Sequence, residues 1–585
     1  MSYPSPATRV MAVSSMILVL TGTALLLWFF HDRFWLPYDE GQYAHSAERL
    51  LDGEVLHRDI HEWHMGYVHF VNAAALKVFG RNLLSLRYPL MFCAFFQTWL
   101  MYRMFLSRGG GVALAAAFSL LALSWIQFMN PTPNWYALFL MVWIIYLLER
   151  GTVHQEPGHP SSFLFHIPHS AFYIPLGVLL MTLFLFRQLS GLFAGMAVFS
   201  YLLVSERQVL NTRQRLPGQI LLGGLVFLLV GYFYKSSDML GFMLFGFWPC
   251  AVGVSSISRV SVSPVQIGKM GLGLTAGALL AFAPLLAYHV WHGSLWYWYV
   301  DTIRDALNIP ALPHLKEWSY TYFLSAAWQS VHTVCSGPRI LNALFWAMLP
   351  GLAFLNGVAL WRQRQRVGAS TEAVLPWLAL FYAPVSVFNQ TPIYLFYSAG
   401  LSLCALLWLC VDMSGMLRRM VMGLAGLMIF VGTFYQAGQQ FRTRYFLSTV
   451  AGERLALLRC TALVRAPLWM PAESCQEYTR LVELIHTFGK TGLFAFPNNA
   501  ELYFLSGAPN RFRFHNTALG LRTAADVDAL LANLRAQPPG LVINHRDSVY
   551  HTRISTPVLA WVHEHYFLID RVGEFDVYSY FSRNG

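Results

Sequence analysis

Residues 11–30, MAVSSMILVLTGTALLLWFF, and then residues 35–66, WLPYDEGQYAHSAERLLDGEVLHRDIHEWHMG, decide how this chain is read. The first stretch is apolar and long enough to cross a bilayer as one helix, and it runs into His31, Asp32 and Arg33 rather than a small-residue cleavage site. It reads as a retained anchor. The second stretch is an ionisable, histidine-rich island at the membrane's edge, with Asp39 and Glu40 side by side at its start. Ionisable groups beside a span are costly to desolvate and tend to be kept for a purpose; the bland alternative is a solvated loop pair.

Outward from this island the chain is mostly apolar. Of its 585 residues 56% are hydrophobic and only 12% charged, so its bulk belongs in a bilayer. The net charge of +11 does not mark a nucleic-acid partner, because the basic residues fall in small clusters between apolar runs, as topology determinants do. Runs able to cross the hydrocarbon core recur near 9–30, 84–106, 111–129, 132–149, 168–186, 189–205, 217–234, 238–255, 269–291, 339–360, 372–389, 391–411 and 417–437. With the N-terminus inside, the cytoplasmic loops hold Arg103, Arg108, Arg150, Arg207, Arg213, Arg215, Arg259, Lys269, Arg362, Arg364, Arg366, Arg418 and Arg419. The opposite short loops offer little beyond Arg187 and Lys235, so the positive-inside bias turns the island and the C-terminal part outward.

Within the first outer loop, Gln42 to Leu51 has helical spacing and a stop at Asp52-Gly53, and Tyr67 to Phe79 forms a second short interfacial helix before Gly80-Arg81-Asn82. A second outer loop, 291–338, opens with Trp291, Trp296, Tyr297, Trp298 and Tyr299, an aromatic belt or a contact for lipid or sugar. Beyond about residue 440 the pattern becomes soluble. Helices are predicted over 475–489, 524–536 and 557–565, with strands over 492–497, 540–545, 567–571 and 575–581, an alternation expected of a small α/β domain with a largely parallel sheet. Pro497-Asn498-Asn499 follows the first strand without any Gly-rich phosphate fingerprint and reads as a structural loop, with a ligand loop the alternative. Five of the seven cysteines sit in or beside apolar runs, while Cys460 and Cys475 lie in the outward part and are a candidate disulfide pair.

Several side chains are chemical candidates. His57, His61 and His64, with Asp59 and Glu62 between them, stand at i, i+4, i+7, which would align the histidines on a helix. Zinc accepts such nitrogens, but HRDIHEWH is not HExxH. Arg58 with protonated or metal-bound histidines would instead make a lip for an anionic phosphate. His292 and His314 in the second outer loop are candidates to complete either site, or plain interfacial residues. Arg187, at an outer turn in FRQLSG, is either a snorkelling anchor or a phosphate ligand. Few ionisable residues fall mid-span, against an ion-coupled transporter.

The order of these parts resembles the GT-C class of membrane glycosyltransferases, particularly the protein-mannosyltransferase and aminoarabinose-transferase relatives. The resemblance is carried by PYDEGQYAHSAERLLDGEVLHRDI after the first span, KVFG (77–80), LRYPL (86–90), PTPNWYALFL (131–140) and FAFPNNAELYFLSG (494–507). It implies a polytopic α-helical membrane protein of about thirteen spans, with a GT-C-like catalytic domain over 1–440, a first outer loop over 31–83, and a small α/β extracytoplasmic domain over 441–585. The implied activity is inverting transfer of a hexosyl or pentosyl unit from a polyprenyl-phosphate donor to a lipid, glycan or protein acceptor. It takes place on the outer face of a bacterial inner membrane.

By this resemblance Asp39 is the catalytic aspartate, deprotonating the acceptor, with Glu40 beside it. Arg58, Asp59, His61, His64, Asn134 and Arg187 are the expected substrate-binding residues, and Glu62, His64 and His292 would hold a divalent metal if one is used. The chain departs from the family pattern in two places. Asn134 stands where many relatives carry an acid, and His64-Met65-Gly66 replaces a Lys-Pro-Pro motif, removing the usual phosphate lysine. A lipid-linked-glycan transporter and a non-catalytic GT-C-like scaffold are the alternatives.

Overall fold

The island at 35–66 forms its first helix earlier than its apolar spacing suggests. In this computed structural model the helix runs Pro37–Leu51, with Pro37 preset for a first turn and Asp39 and Glu40 inside that turn, where the helix dipole favours acids. It stops at Asp52, and Gly53 follows at φ +95°, a backbone only glycine takes readily. The structure describes residues 6–580 apart from 34, 154–168, 206–209, 306–318, 334, 366–372, 389, 438–455 and 549. Arg207, Arg366, His314 and the expected boundary at 440 lie outside the described residues.

All thirteen predicted apolar runs fall on helices where they are described. Among the described residues eight of these helices are long and apolar enough to cross a membrane, so the chain is an integral membrane protein; the expected count of about thirteen is not reached there. Three runs make shorter apolar helices (Gly110–Trp125, Phe172–Phe186, Val374–Ser386). Two others are the helices Leu83–Phe105 and Pro133–Val153. The helix Tyr67–Phe79 has the predicted bounds, and the second outer loop contains an unforeseen helix, Tyr320–Thr333.

The C-terminal part carries two sheets. Strands β1 (Leu457–Arg459) and β2 (Trp469–Pro471) pair antiparallel, and a disulfide joins Cys460 to Cys475 at the start of helix Ala472–Phe488. The main sheet holds β3 (Leu493–Phe496), β4 (Leu541–His545), β5 (Tyr566–Val572) and β6 (Phe575–Tyr580) in the order β3-β4-β6-β5. Only β3 and β4 are parallel, which corrects the expected largely parallel sheet. The reason is local: Gly573-Glu574 closes β5 onto β6 as a hairpin, Gly573 sits at φ +55°, and a hairpin is antiparallel by construction.

The loop after the first apolar helix and the C-terminal part share one hydrophobic core. Trp35, Ala44, Ala47 and Leu76 are buried together with Leu468, Tyr478, Leu502 and Val577. Trp35 packs edge-on against Tyr478 at 4.6 Å between centroids. Backbone contact is closest at Gly41, where a Cβ would lie 2.3 Å from the Cβ of Glu501 on helix Ala500–Ser506. Helix Pro37–Leu51 is therefore clamped between the membrane helices and the C-terminal part.

Candidate functional site

Asp39 and Glu40 are neighbours on one helical turn and so point about 100° apart. Glu40 faces the membrane helices, where it is fully buried and takes Arg87 Nη2 at 2.8 Å and Nε at 3.2 Å, while its Oε1 also accepts the Leu36 N–H. Arg87 also donates to the His31 carbonyl at 2.6 Å. A carboxylate held at this many points is a fixing element, and the structure does not turn Glu40 toward Asp39's surroundings.

Asp39 is half-buried and its carboxylate meets Asn130 Nδ2 at 3.5 Å. Burial pushes its pKa up to about 6, the adjacent Glu40 adds to the rise, and the Arg187 guanidinium opposes it. Arg187 thus lies within electrostatic reach of Asp39. It donates from Nη2 to Tyr394 Oη at 3.2 Å, while its Nε is buried without a hydrogen-bond partner. Tyr43, Tyr397 and Tyr550 also feel the Asp39 charge. Tyr550 comes from the loop after β4, and Tyr38 Oη meets His545 Nδ1 of that strand at 3.2 Å, so the C-terminal sheet borders one side of the chamber these side chains form around Asp39.

The histidine segment does not form a helix. His57 takes φ +67°; His57 and His61 both approach Asp301, with His61 Nε2 3.7 Å from its Oδ1, while His64 turns to Tyr43 and Trp63. His57 Nδ1 lies 3.3 Å from Asp301 Oδ2, and Arg513 grips Asp301 at 2.7 and 2.8 Å. His64 Nε2 receives Tyr43 Oη at 3.0 Å and Trp63 Nε1 at 2.9 Å. Burial, and next the Arg187 charge, hold His64 far below the usual histidine range, so it is neutral at pH 7 and not a protonated phosphate ligand. Arg58 is exposed and gives Nε and Nη2 to Asp59 at 2.9 Å each, and no hydrogen bond or ion pair links either residue to Asp39 or Arg187 among the described residues. Asn134 bonds Thr132 within its own loop; Asn130, four residues earlier, is the amide that reaches Asp39.

The expected metal set also separates. Glu62 is buried and receives Gln42 Nε2 at 2.9 Å and the Ser46 hydroxyl, with His69 Nε2 and His515 Nε2 each 3.6 Å away. Burial raises its pKa to about 8 despite those two hydrogen bonds. His64 is committed to Tyr43 and Trp63, and His292 packs beside Tyr288 with its ring centroid 4.6 Å away. Among the described residues, the set of three ligand atoms within 4.8 Å of one another is instead His61, Asp301 and Asp305, all buried. His61 Nε2 is a buried nitrogen without a hydrogen-bond partner, so one imidazole and two carboxylates there fit a divalent cation. The signal for the two acids was the Asp301-Thr-Ile-Arg-Asp305 spacing in the second outer loop, which the aromatic cluster overshadowed.

No family model matches the chain, and no curated protein matches it. Among solved structures it is similar to ArnT from Cupriavidus metallidurans bound to undecaprenyl phosphate, at 13% identity over 99% of both chains with a TM-score of 0.38. It is also similar to the archaeal oligosaccharyltransferase AglB from Archaeoglobus fulgidus in complex with an inhibitory peptide and a dolichol-phosphate, at 9% identity over 99% of this chain and 75% of that one, TM-score 0.48. The Archaeoglobus fulgidus oligosaccharyltransferase complex with Zn and sulfate matches at 11% identity over 96% of this chain and 73% of that one, TM-score 0.44.

Proposed function

We propose that this chain is an inverting glycosyltransferase that moves a sugar from a polyprenyl-phosphate donor to a hydroxyl- or amine-bearing acceptor on the outer face of the membrane. The observation that carries the reading is the pairing, in one half-buried chamber, of an acid that makes no ion pair among the described residues with a cation that has a spare donor: Asp39 and Arg187. A transferase of this kind needs a base for the acceptor and a positive group for the departing phosphate, and little else.

Asp39 accepts the acceptor's proton as the nucleophile attacks the anomeric carbon on the face opposite the phosphate. The new carbon–acceptor bond forms, the carbon–oxygen bond to phosphate breaks, and polyprenyl phosphate leaves with the electron pair. Arg187 Nε receives that charge, and Tyr394 steadies the guanidinium. A pKa near 6 suits a base working near neutral pH, since the group is mostly ionised yet still basic. Asn130 orients the carboxylate. Glu40 and Arg87 fix the helix that bears it. A divalent cation at His61, Asp301 and Asp305 would supply positive charge beside the same loop.

Mass spectrometry of envelope glycans and lipid-linked intermediates from a strain lacking the chain tests the proposal. One sugar should disappear from its acceptor while its polyprenyl-phosphate form accumulates; an unchanged profile contradicts it.

A further inference from the structure

The outward domain contains a cavity of about 380 Å³ that the transfer chemistry does not use. It lies at the carboxyl end of β4, between that strand, its antiparallel neighbour β6 and helix Thr556–His565. Its volume is in the range of small-molecule sites. Asn544 lines it from the floor: the residue is 4% exposed and its Oδ1 has no hydrogen-bond partner. An acceptor left so buried is destabilising, and a donor on a bound molecule would recover that cost.

The rest of the lining says what kind of molecule. Thr552, Ser555 and Thr556 bring hydroxyls to the start of helix Thr556–His565, and Arg546 and Asp576 add a donor and an acceptor. One aliphatic side chain, Leu559, and the ring of Tyr578 complete a small apolar surface. Charge is balanced here. Arg546 Nη1 is 2.6 Å from Asp576 Oδ1, and burial lowers the His551 pKa, leaving it neutral. His563 also lines the cavity, its Nε2 3.2 Å from Tyr578 Oη, and interleaved donors and acceptors with the carboxylate paired to the guanidinium match a ligand whose groups both donate and accept, as adjacent ring hydroxyls do.

We infer that this cavity is a binding site for an uncharged pyranose, the saccharide portion of the acceptor. The loop that follows β4 links it to the chamber: Asn544, Arg546 and His551 face the cavity, while His545 meets Tyr38 and Tyr550 faces the Asp39 charge. A sugar seated there is held one loop away from Asp39. Its assignment to the acceptor rests on the transferase reading; the binding itself does not.

Saturation-transfer NMR on the full chain in nanodiscs, with methyl pyranosides and the matching sugar phosphates as probes, tests this. The wild-type chain should bind at least one neutral pyranoside, and Thr556→Trp, at the exposed mouth, should weaken it tenfold or more. Asn544→Leu should weaken it likewise. Binding of no neutral pyranoside, equal binding by Thr556→Trp, or binding of the phosphates alone overturns the inference. Intact pyranoside binding in a chain without transfer activity contradicts the transferase reading, and the cavity's pyranose binding stands without it.

Discussion

Arg87 holds Glu40 by two nitrogens, with Nη2 at 2.8 Å and Nε at 3.2 Å from carboxylate oxygens, and neither side chain touches solvent. This pair sets the direction of its neighbour: with Glu40 fixed against helix Leu83–Phe105, Asp39 must face the chamber. Replacing Arg87 with Met strands a buried carboxylate and should cost about 3–5 kcal/mol. The measurement is thermal unfolding in detergent, where Arg87→Met should melt well below wild type, and the double variant Arg87→Met with Glu40→Leu should recover most of the loss.

Gly41 lies where helix Pro37–Leu51 meets Glu501, with no room for a Cβ. Gly41→Ala should therefore wedge the two apart at a cost of about 1–3 kcal/mol. Limited proteolysis of the outward domain, faster in Gly41→Ala than in wild type, is the readout.

Arg187→Ala removes the proposed phosphate ligand. A charge-assisted hydrogen bond is worth about 1.5–3 kcal/mol, so the donor's KM should rise by about 10- to 150-fold. Arg187→Lys keeps the charge but not the fork and should recover only part of it. An unchanged donor KM in Arg187→Ala removes this residue from the site.

The Asp39 pKa, raised to about 6, gives a pH profile with a definite sign. The base works only when ionised, so kcat/KM should level off above pH 6 and fall about tenfold per pH unit below it. Stability runs the other way. A carboxyl raised in the folded state favours folding fully below its unfolded value of 3.8, and that favour is lost as pH rises through about 6. Asp39→Asn should therefore be more stable than wild type above pH 6, by up to about 3 kcal/mol.

Asp39 and Arg187 were legible because charge beside a span is rare enough to stand out, and the spans themselves follow from length and composition. Glu40 was not separable from Asp39 in the sequence, since which of two adjacent acids faces inward depends on the helix phase that Pro37 sets. Asn130, Tyr394 and Tyr550 reach the chamber from segments about 90 to 510 residues away, and no local pattern reports such meetings. The histidine spacing failed for a different reason: i, i+4, i+7 aligns side chains only on a helix, and the stretch holds His57 and Gly66 at positive φ.

The central claim is that Asp39 is the base of a transfer from polyprenyl phosphate. The direct measurement is transfer by purified Asp39→Asn, with folding checked by its melting temperature, on the donor that accumulates in the strain lacking this chain. The account predicts a folded variant, at least as stable as wild type at pH 7, whose kcat is lower by about 10²- to 10⁴-fold. Near-wild-type transfer by that folded variant would contradict it.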